Sequence, residues 1–288
     1  MEKIQMSEKG KLYICGTPIG NLDDITFRAV KTLENVDLIA AEDTRRTEKL
    51  LNHFKIDNKM TSYHEHNERE KAKKLITELK DGYDIALVSD AGMPGISDPG
   101  LILIQKAIKQ GIEIIPVPGP TALIPALVVS GIQTDKFSFL GFVPRKGKER
   151  EEFIQEIALE EKTVIFYESP YRIKKIFKDL SEKIPERKAA LVREITKIHE
   201  EKIYGTITEI KDKIDSVEIK GEIVVVVEGR TKKEPDKESW TELSVLEHVQ
   251  LFMDNGYTKK EAIKKVAEVR EMQKKKVYKE AIQINVNR

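Results

Sequence analysis

The sequence predicts an α/β protein made of two α/β halves with a small helical extension at its C-terminal end. Three observations carry that prediction. Apolar runs of strand length alternate with amphipathic helical segments along most of the chain, which argues for mostly parallel sheet with helices on both faces. Many of these runs end in loops dense in Gly, Pro, Asp and Thr, where α/β sheets usually hold small ligands. Beyond a charged, proline-containing stretch at 231–238, only helical patterns remain.

Leu12-Tyr-Ile-Cys15 is a first buried strand, followed at once by Gly16-Thr-Pro-Ile-Gly-Asn21. Thr26 to Leu33 reads as a helix and Val36 to Ala41 as a strand, which runs into Glu42-Asp-Thr-Arg-Arg-Thr47, where a helix starts. Lys59 to Tyr63 is a short strand ending at His64-Glu-His-Asn67, before a polar helix through Lys80. Ile85-Ala-Leu-Val88 leads into the longest special loop, Ser89 to Gly100, and Leu101 to Ile108 has helical spacing. Ile112 to Val117 is a strand that meets Pro118-Gly-Pro-Thr-Ala122 and a small apolar helix.

In the second half, Phe137–Val143, Thr163–Tyr167, Ala189–Glu194, Ile203–Ile207 and Ile223–Val227 read as strands. Glu149–Leu159 and Ile173–Leu180 read as helices. In the tail, Ser244 with Glu247 and Thr258 with Glu261 are capping-box patterns, and Asn255-Gly256 is a stop signal. The expected organisation is an N-terminal α/β domain at 1–118, a second at 119–230, a linker at 231–238 and a basic helical module at 239–288.

Composition narrows the function. Forty per cent apolar residues fill a core, and 34% charged residues with a mean hydropathy of -0.42 point to a soluble chain. The most apolar region, Ile112 to Ile132, is interrupted by Glu113, four prolines and two glycines, so no membrane span is expected. The first ten residues are too charged for a signal peptide, and the lone Cys15 allows neither an internal disulfide nor a cysteine zinc site. A cytoplasmic protein is expected. With 50 Lys and Arg against 49 Asp and Glu, bulk charge announces no nucleic-acid partner. From 259 to 279, however, nine Lys or Arg face three Glu, a net +6 that is either an RNA-gripping surface or a solvated helix face.

The loop from Ser89 to Gly100 exceeds the roughly two to six residues a simple crossover needs. Its glycines permit close approach of backbone to a ligand. Gly16-Thr-Pro-Ile-Gly20 is not a dinucleotide fingerprint and no phosphate loop of the G-x-x-x-x-G-K-[ST] type occurs, so neither common nucleotide cradle is present. His64 and His66 share a strand face but make a thin metal site without further ligands; a hydrogen-bonding or RNA-facing role suits His64 and Asn67 better, and no metal is expected.

Taken in order, Gly16–Asn21, Glu42–Thr47, His64–Asn67, Ser89–Gly100, Pro118–Ala122, Tyr167-Glu-Ser-Pro170 and Arg193-Glu-Ile-Thr-Lys197 resemble a known family. It is the bacterial 16S ribosomal RNA 2′-O-methyltransferases, within the tetrapyrrole methylase superfamily. The resemblance runs from Leu12 to about Glu228 and weakens in the tail. It implies two α/β domains of the tetrapyrrole methylase type, with S-adenosylmethionine held in the cleft between them, in a homodimer. It also implies methylation of a cytidine ribose in the decoding centre of 16S rRNA, naked or within the 30S subunit. By position, Gly92, Met93, Pro94, Ile96 and Ser97 would line the methionine end of the donor together with Thr121 and Ala122. Tyr167, Arg193 and Ile223 would sit near the adenosine. Gly92-Met-Pro94 stands where corrin and porphyrin enzymes have Gly-Asp-Pro, which counts against a tetrapyrrole substrate. The rival readings are a tetrapyrrole methylase, a non-enzymatic RNA-binding protein with a degenerate pocket, and a metal-dependent hydrolase built on His64 and His66.

Methyl transfer to a ribose hydroxyl needs a group to remove the proton. The strand-end loops offer Glu42, Asp43, Asp90, Asp98, Glu194 and Lys197. Asp43 and Asp90 are preferred, because each follows a strand that aims it at the cleft, although a helix cap or surface ion pair is the plain alternative. Arg45, Arg46 and Lys197 are the expected RNA contacts beside His64 and Asn67.

Overall fold

A computed structural model of the chain describes residues 9–231, 240 and 242–281. The first eight residues of the charged N-terminus, and the expected linker beyond Thr231, lie outside them. The first sheet contains β1 (Leu12–Cys15), β2 (Leu38–Ala41), β3 (Met60–Ser62), β4 (Ile85–Val88) and β5 (Ile114–Val117). Its order is β3-β2-β4-β1-β5 and every pairing is parallel. Helices α1 (Phe27–Asn35), α2 (Thr44–His53), α3 (Glu68–Lys80) and α4 (Leu101–Lys109) cover both faces. Along β4, Ile85 and Leu87 pack with Leu75 and Leu79 of α3 and Leu103 of α4. Ala86 and Val88 point the other way, to Leu33 of α1 and Leu51 of α2. Burial on both faces explains why the strands read as unbroken apolar runs. Parallel strands also bring all their following loops to one edge of the sheet.

The second sheet departs from the parallel expectation. After α5 (Leu123–Val129) come β6 (Phe137–Phe142), α6 (Lys148–Leu159), β7 (Thr163–Glu168), α7 (Ile173–Ser181) and β8 (Lys188–Arg193). Then follow β9 (Glu201–Thr206), α8 (Ile207–Asp215) and β10 (Ile223–Val227). The order is β6-β7-β10-β8-β9; β6 and β7 are parallel, and the other three pairings are antiparallel. The final strand inserts between β7 and β8, a non-local pairing that no local pattern encodes. The expected strand at Ile203–Ile207 is also shifted: Ile207 opens α8, whose cap Thr206 and Glu209 form a capping box. β10 is buried throughout, with Val225 and Val227 facing the α6–α8 side and Val224 and Val226 facing Ala126 and Leu127 of α5.

The tail folds as α9 (Val245–Asp254), α10 (Lys259–Val269) and α11 (Lys274–Glu280) around Val249, Phe252, Ile263, Val266 and Val277. Both expected capping boxes form. Inside, His248 is fully buried; its Nδ1 accepts from Arg270 Nε at 2.9 Å and its ring stacks 4.6 Å from that of Trp240. Arg270 also donates to the carbonyls of Trp240 and Leu243, fastening the start of α9. No helix among the described residues is long and apolar enough to cross a membrane.

Candidate active site

The loops after β1, β4 and β5 lock together by backbone contact. Thr17 and Gly92 exchange N–H···O bonds of 3.0 Å each, and the Thr17 hydroxyl donates to the carbonyl of Ser89 at 3.1 Å. Gly92 has a φ of +84°, a left-handed conformation that glycine adopts without strain. Gly16 lies directly against Gly119: a Cβ on Gly16 would stand 2.8 Å from Gly119 Cα and 2.7 Å from Met93 Sδ. Local sequence therefore dictates a tight floor made of main chain.

Above that floor, between the two sheets, lies a cavity of about 330 Å³. Of the expected donor-site residues, Gly92, Met93, Ile96, Ser97, Thr121, Ala122, Tyr167 and Ile223 line it. Pro94 is buried without belonging to the lining. Arg193 is absent from the wall as well, because its guanidinium is bound to Glu201 and to the carbonyl of Lys220. Other residues of the wall, among them Ile19, Phe142, Glu168, Gly221 and Glu222, were not selected by the sequence reading. Phe142 and Phe139 brace the Tyr167 ring edge-on, at 5.3 and 4.9 Å.

Glu168, 2% exposed, accepts from the backbone N–H of Ser169 and pairs with Arg172 through Oε1, while Oε2 is buried with no partner. Burial pushes its carboxyl up despite the guanidinium.

The remaining carboxylates divide sharply. Asp43 caps α2, accepting from Arg45 N at 2.9 Å, and takes two further bonds from the Arg45 guanidinium, which hold its carboxyl down at about 2. Asp90 accepts from Asp43 N at 3.0 Å through Oδ1, and Arg46 lies 3.2 Å from Oδ2. Glu42 accepts from Asp90 N at 3.1 Å. Asp98 alone lines the cavity with no hydrogen bond or ion pair among the described residues. Burial, then the charges of Glu42 and Asp90, push its carboxyl up to about 7. Asp43 and Asp90, the two preferred bases, are thus engaged in holding the loops, and Asp43 is a weak proton acceptor.

A second cavity, also about 330 Å³, adjoins the first and shares Ile19, Ala91 and Glu222 with it. Arg46, Lys49, Asp90 and Lys197 stand around it. Lys197 lies along Gly20, where a Cβ would come within 2.5 Å of its Cγ. Its Nζ reaches Glu194 at 2.9 Å and Glu222 at 3.1 Å, while the Thr196 hydroxyl donates to Asp24, so this loop straps the second sheet to the first. Arg45 lines neither cavity. Nor do His64 and Asn67, which bond to each other at the entry to α3, with Asn67 Oδ1 accepting from His64 N at 2.9 Å. His64 and His66 are 6.0 Å apart between ring centres, and no group of three potential metal ligands occurs among the described residues. Two larger hollows, of about 970 and 1020 Å³, flank Arg230 away from these loops.

Residues 11–211 match the sequence model of a family described as tetrapyrrole (corrin/porphyrin) methylases. The chain belongs to the tetrapyrrole methylase family. Among its relatives, a protein of Halalkalibacterium halodurans named ribosomal RNA small subunit methyltransferase I is 48% identical over 275 residues, covering 95% of both chains. A protein of the same name from Thermotoga maritima is 46% identical over 221 residues, 77% of this chain and 99% of that one. Tetrapyrrole methylase architecture is also visible in the uroporphyrin-III-C-methyltransferase of Thermus thermophilus. That structure gives a TM-score of 0.54 at 17% identity, covering 76% of this chain and 94% of that one, a likeness of fold alone.

Proposed function

We propose that this tetrapyrrole methylase family member transfers the methyl group of S-adenosylmethionine to the 2′-hydroxyl of a cytidine ribose in the decoding centre of 16S rRNA, as a cytoplasmic homodimer. One observation carries the reading. A cavity with apolar walls and one carboxylate unpaired among the described residues, Asp98, adjoins a second cavity where Arg46, Lys49 and Lys197 stand with Asp90 and Glu222. The first suits a cation with a flat apolar body, and the second suits a phosphate-bearing acceptor.

The residues present fit the donor. Met93, Ile96, Tyr167 and Ile223 offer apolar surface for the donor. Asp98, unpaired among the described residues, supplies negative charge for a cation. When bound, S-adenosylmethionine supplies a methyl group already activated by the positive charge on sulfur. What the chain must add is alignment, dryness and a destination for one proton. Gly16, Gly92 and Gly119 let main chain close under the ligand, and Ile19 and Phe142 exclude water. Arg46, Lys49 and Lys197 hold the acceptor by its backbone phosphates; sequence discrimination falls to the RNA bases and the shape of the particle. A second copy would bury Ile124 and Val128 of α5, exposed one turn apart.

The test is reconstitution. 30S particles and naked 16S rRNA from cells lacking this protein are incubated with the purified chain and S-adenosylmethionine, then mapped by alkaline hydrolysis. One new alkali-resistant linkage, at a decoding-centre cytidine, is expected. Incorporation at a base, or none on either substrate, would overturn the reading.

A further inference from the structure

The cavity between the sheets contains one carboxylate with no structural employment. Glu42 and Asp90 accept backbone N–H groups, Asp43 is a helix cap and Glu168 is anchored through Oε1. Asp98 does none of these things, although it sits in the cavity wall on a loop pinned by the Thr17–Gly92 bridge. The groups that act on it are negative or neutral: Glu42 from the end of β2, Asp90 from the end of β4, and the phenol of Tyr167 from β7. Arg46 reaches the far oxygen of Asp90, and its ion pair among the described residues is with that carboxylate rather than with Asp98. A half-buried carboxylate among other carboxylates, with no cation of its own, is poorly satisfied unless a ligand brings positive charge. Glu168 on the same wall has its charge met by Arg172, so Asp98 is the carboxylate left for a ligand to satisfy.

We propose that Asp98 is the counter-charge to the sulfonium of the donor and, in the same turnover, the acceptor of the proton that leaves the methylated hydroxyl. The proposal rests on the reading of the chain as an S-adenosylmethionine-dependent methyltransferase. While the sulfonium is intact, its charge keeps Asp98 ionised. As the acceptor oxygen takes the methyl group, the bonding pair of the broken carbon–sulfur bond stays on sulfur, which becomes a neutral thioether. Asp98 then faces only Glu42 and Asp90, whose repulsion, with burial, gives its carboxyl an affinity for protons near neutrality. The hydroxyl proton passes to Asp98 as the charge that opposed its protonation disappears. Charge and atoms balance: one cation and one carboxylate become a thioether and a carboxylic acid. The design explains why Asp98 is left unpaired, since a permanent cation would hold it ionised and remove its basicity.

Proton linkage tests this without turnover. The purified chain is titrated calorimetrically with S-adenosylmethionine, and separately with S-adenosylhomocysteine, in two buffers of different ionisation enthalpy. With Asp98 titrating near 7, wild type should release about half a proton at pH 7 on binding the sulfonium, and essentially none at pH 9. The thioether should release none from Asp98 at either pH. Asp98→Asn, measured identically, cancels the ligands' own titrations, so the wild-type minus variant difference isolates this carboxyl. The variant should bind S-adenosylmethionine at least about tenfold more weakly, while its affinity for the thioether changes less than about threefold. Equal proton counts for both ligands in wild type, or equal affinity losses in the variant, would overturn the role of Asp98 and leave the donor reading intact. Failure of wild type to bind either ligand would instead remove the donor reading itself.

Discussion

Replacing Gly16 by alanine tests whether the main-chain floor shapes the donor cavity. The added Cβ would stand 2.8 Å from Gly119 Cα, 3.0 Å from Gly119 N and 2.7 Å from Met93 Sδ. Carbon atoms rest about 3.5 Å or more apart, so β1 and the loop after β5 must separate by about 0.7 Å. Met93 can swing aside, but the backbone of Gly119 has no rotamer to change. Overpacking of this kind costs about 1–3 kcal/mol. At roughly 2–4 °C per kcal/mol, the melting temperature should fall by at least about 2 °C. The strain acts on Met93 and on the turn carrying Thr121, both in the cavity wall, so donor affinity should fall at least tenfold, about 1.4 kcal/mol. Gly131→Ala is the control. Its φ of +69° makes alanine strained, yet nothing lies within 4 Å of the new Cβ, so stability falls and donor affinity holds. Calorimetry and thermal melts on both variants decide the matter. A Gly16→Ala protein with wild-type melting and wild-type donor affinity would refute the reasoning.

Three further outcomes are expected. Asp43→Asn should leave the single-turnover methylation rate within a few-fold of wild type, because asparagine caps a helix as well and the carboxyl, held at about 2 by Arg45, has little pull on a proton; a hundredfold loss would return proton removal to Asp43. His248 is buried neutral, and burial first, then Arg270, lower its pKa to about 4, against about 6.5 unfolded. The unfolded chain therefore binds the extra proton between those values, and stability is lost as pH falls from about 6.5 towards 4. Melting temperatures measured from pH 7 to pH 5 should drop less in His248→Gln, and parallel drops would contradict the assignment. Removing residues 239–288 should weaken binding to 16S rRNA and flatten its salt dependence while leaving donor affinity unchanged. If filter binding gives the same RNA affinity and slope with and without them, the basic helices are structural.

The strands Leu12–Cys15 and Ile223–Val227 were legible to the residue, because each is an unbroken apolar run buried on both faces and stopped by polar or glycine neighbours. The location of the cleft was legible for a related reason: glycine and proline mark the strand-end loops, and parallel pairing brings those loops together. The order of the second sheet was not, since inserting β10 between β7 and β8 depends on contacts some thirty to sixty residues apart in sequence. α8 was hidden because Ile203 and Ile207, four apart, suit either periodicity; the Thr206 and Glu209 capping box was the available signal. Glu168 sat inside a quoted motif yet went unselected, because nothing local reveals that one of its oxygens is stranded. The same blindness hid the difference between Asp43 and Asp98. Both are aspartates in strand-end loops, and only their neighbours in space, a guanidinium for one and two carboxylates for the other, separate them.

Glu222 is wall to both cavities at once, and its carboxylate is tied to Lys197 on the strap that joins the sheets. An occupant that draws this carboxylate towards one cavity changes what the other cavity presents. By thermodynamic linkage the effect is reciprocal: the factor by which the donor alters the affinity for RNA equals the factor by which RNA alters the affinity for the donor. The particle that receives the methyl group would thereby help to set how tightly the spent donor is retained, and exchange of the small molecule would become sensitive to whether RNA is engaged.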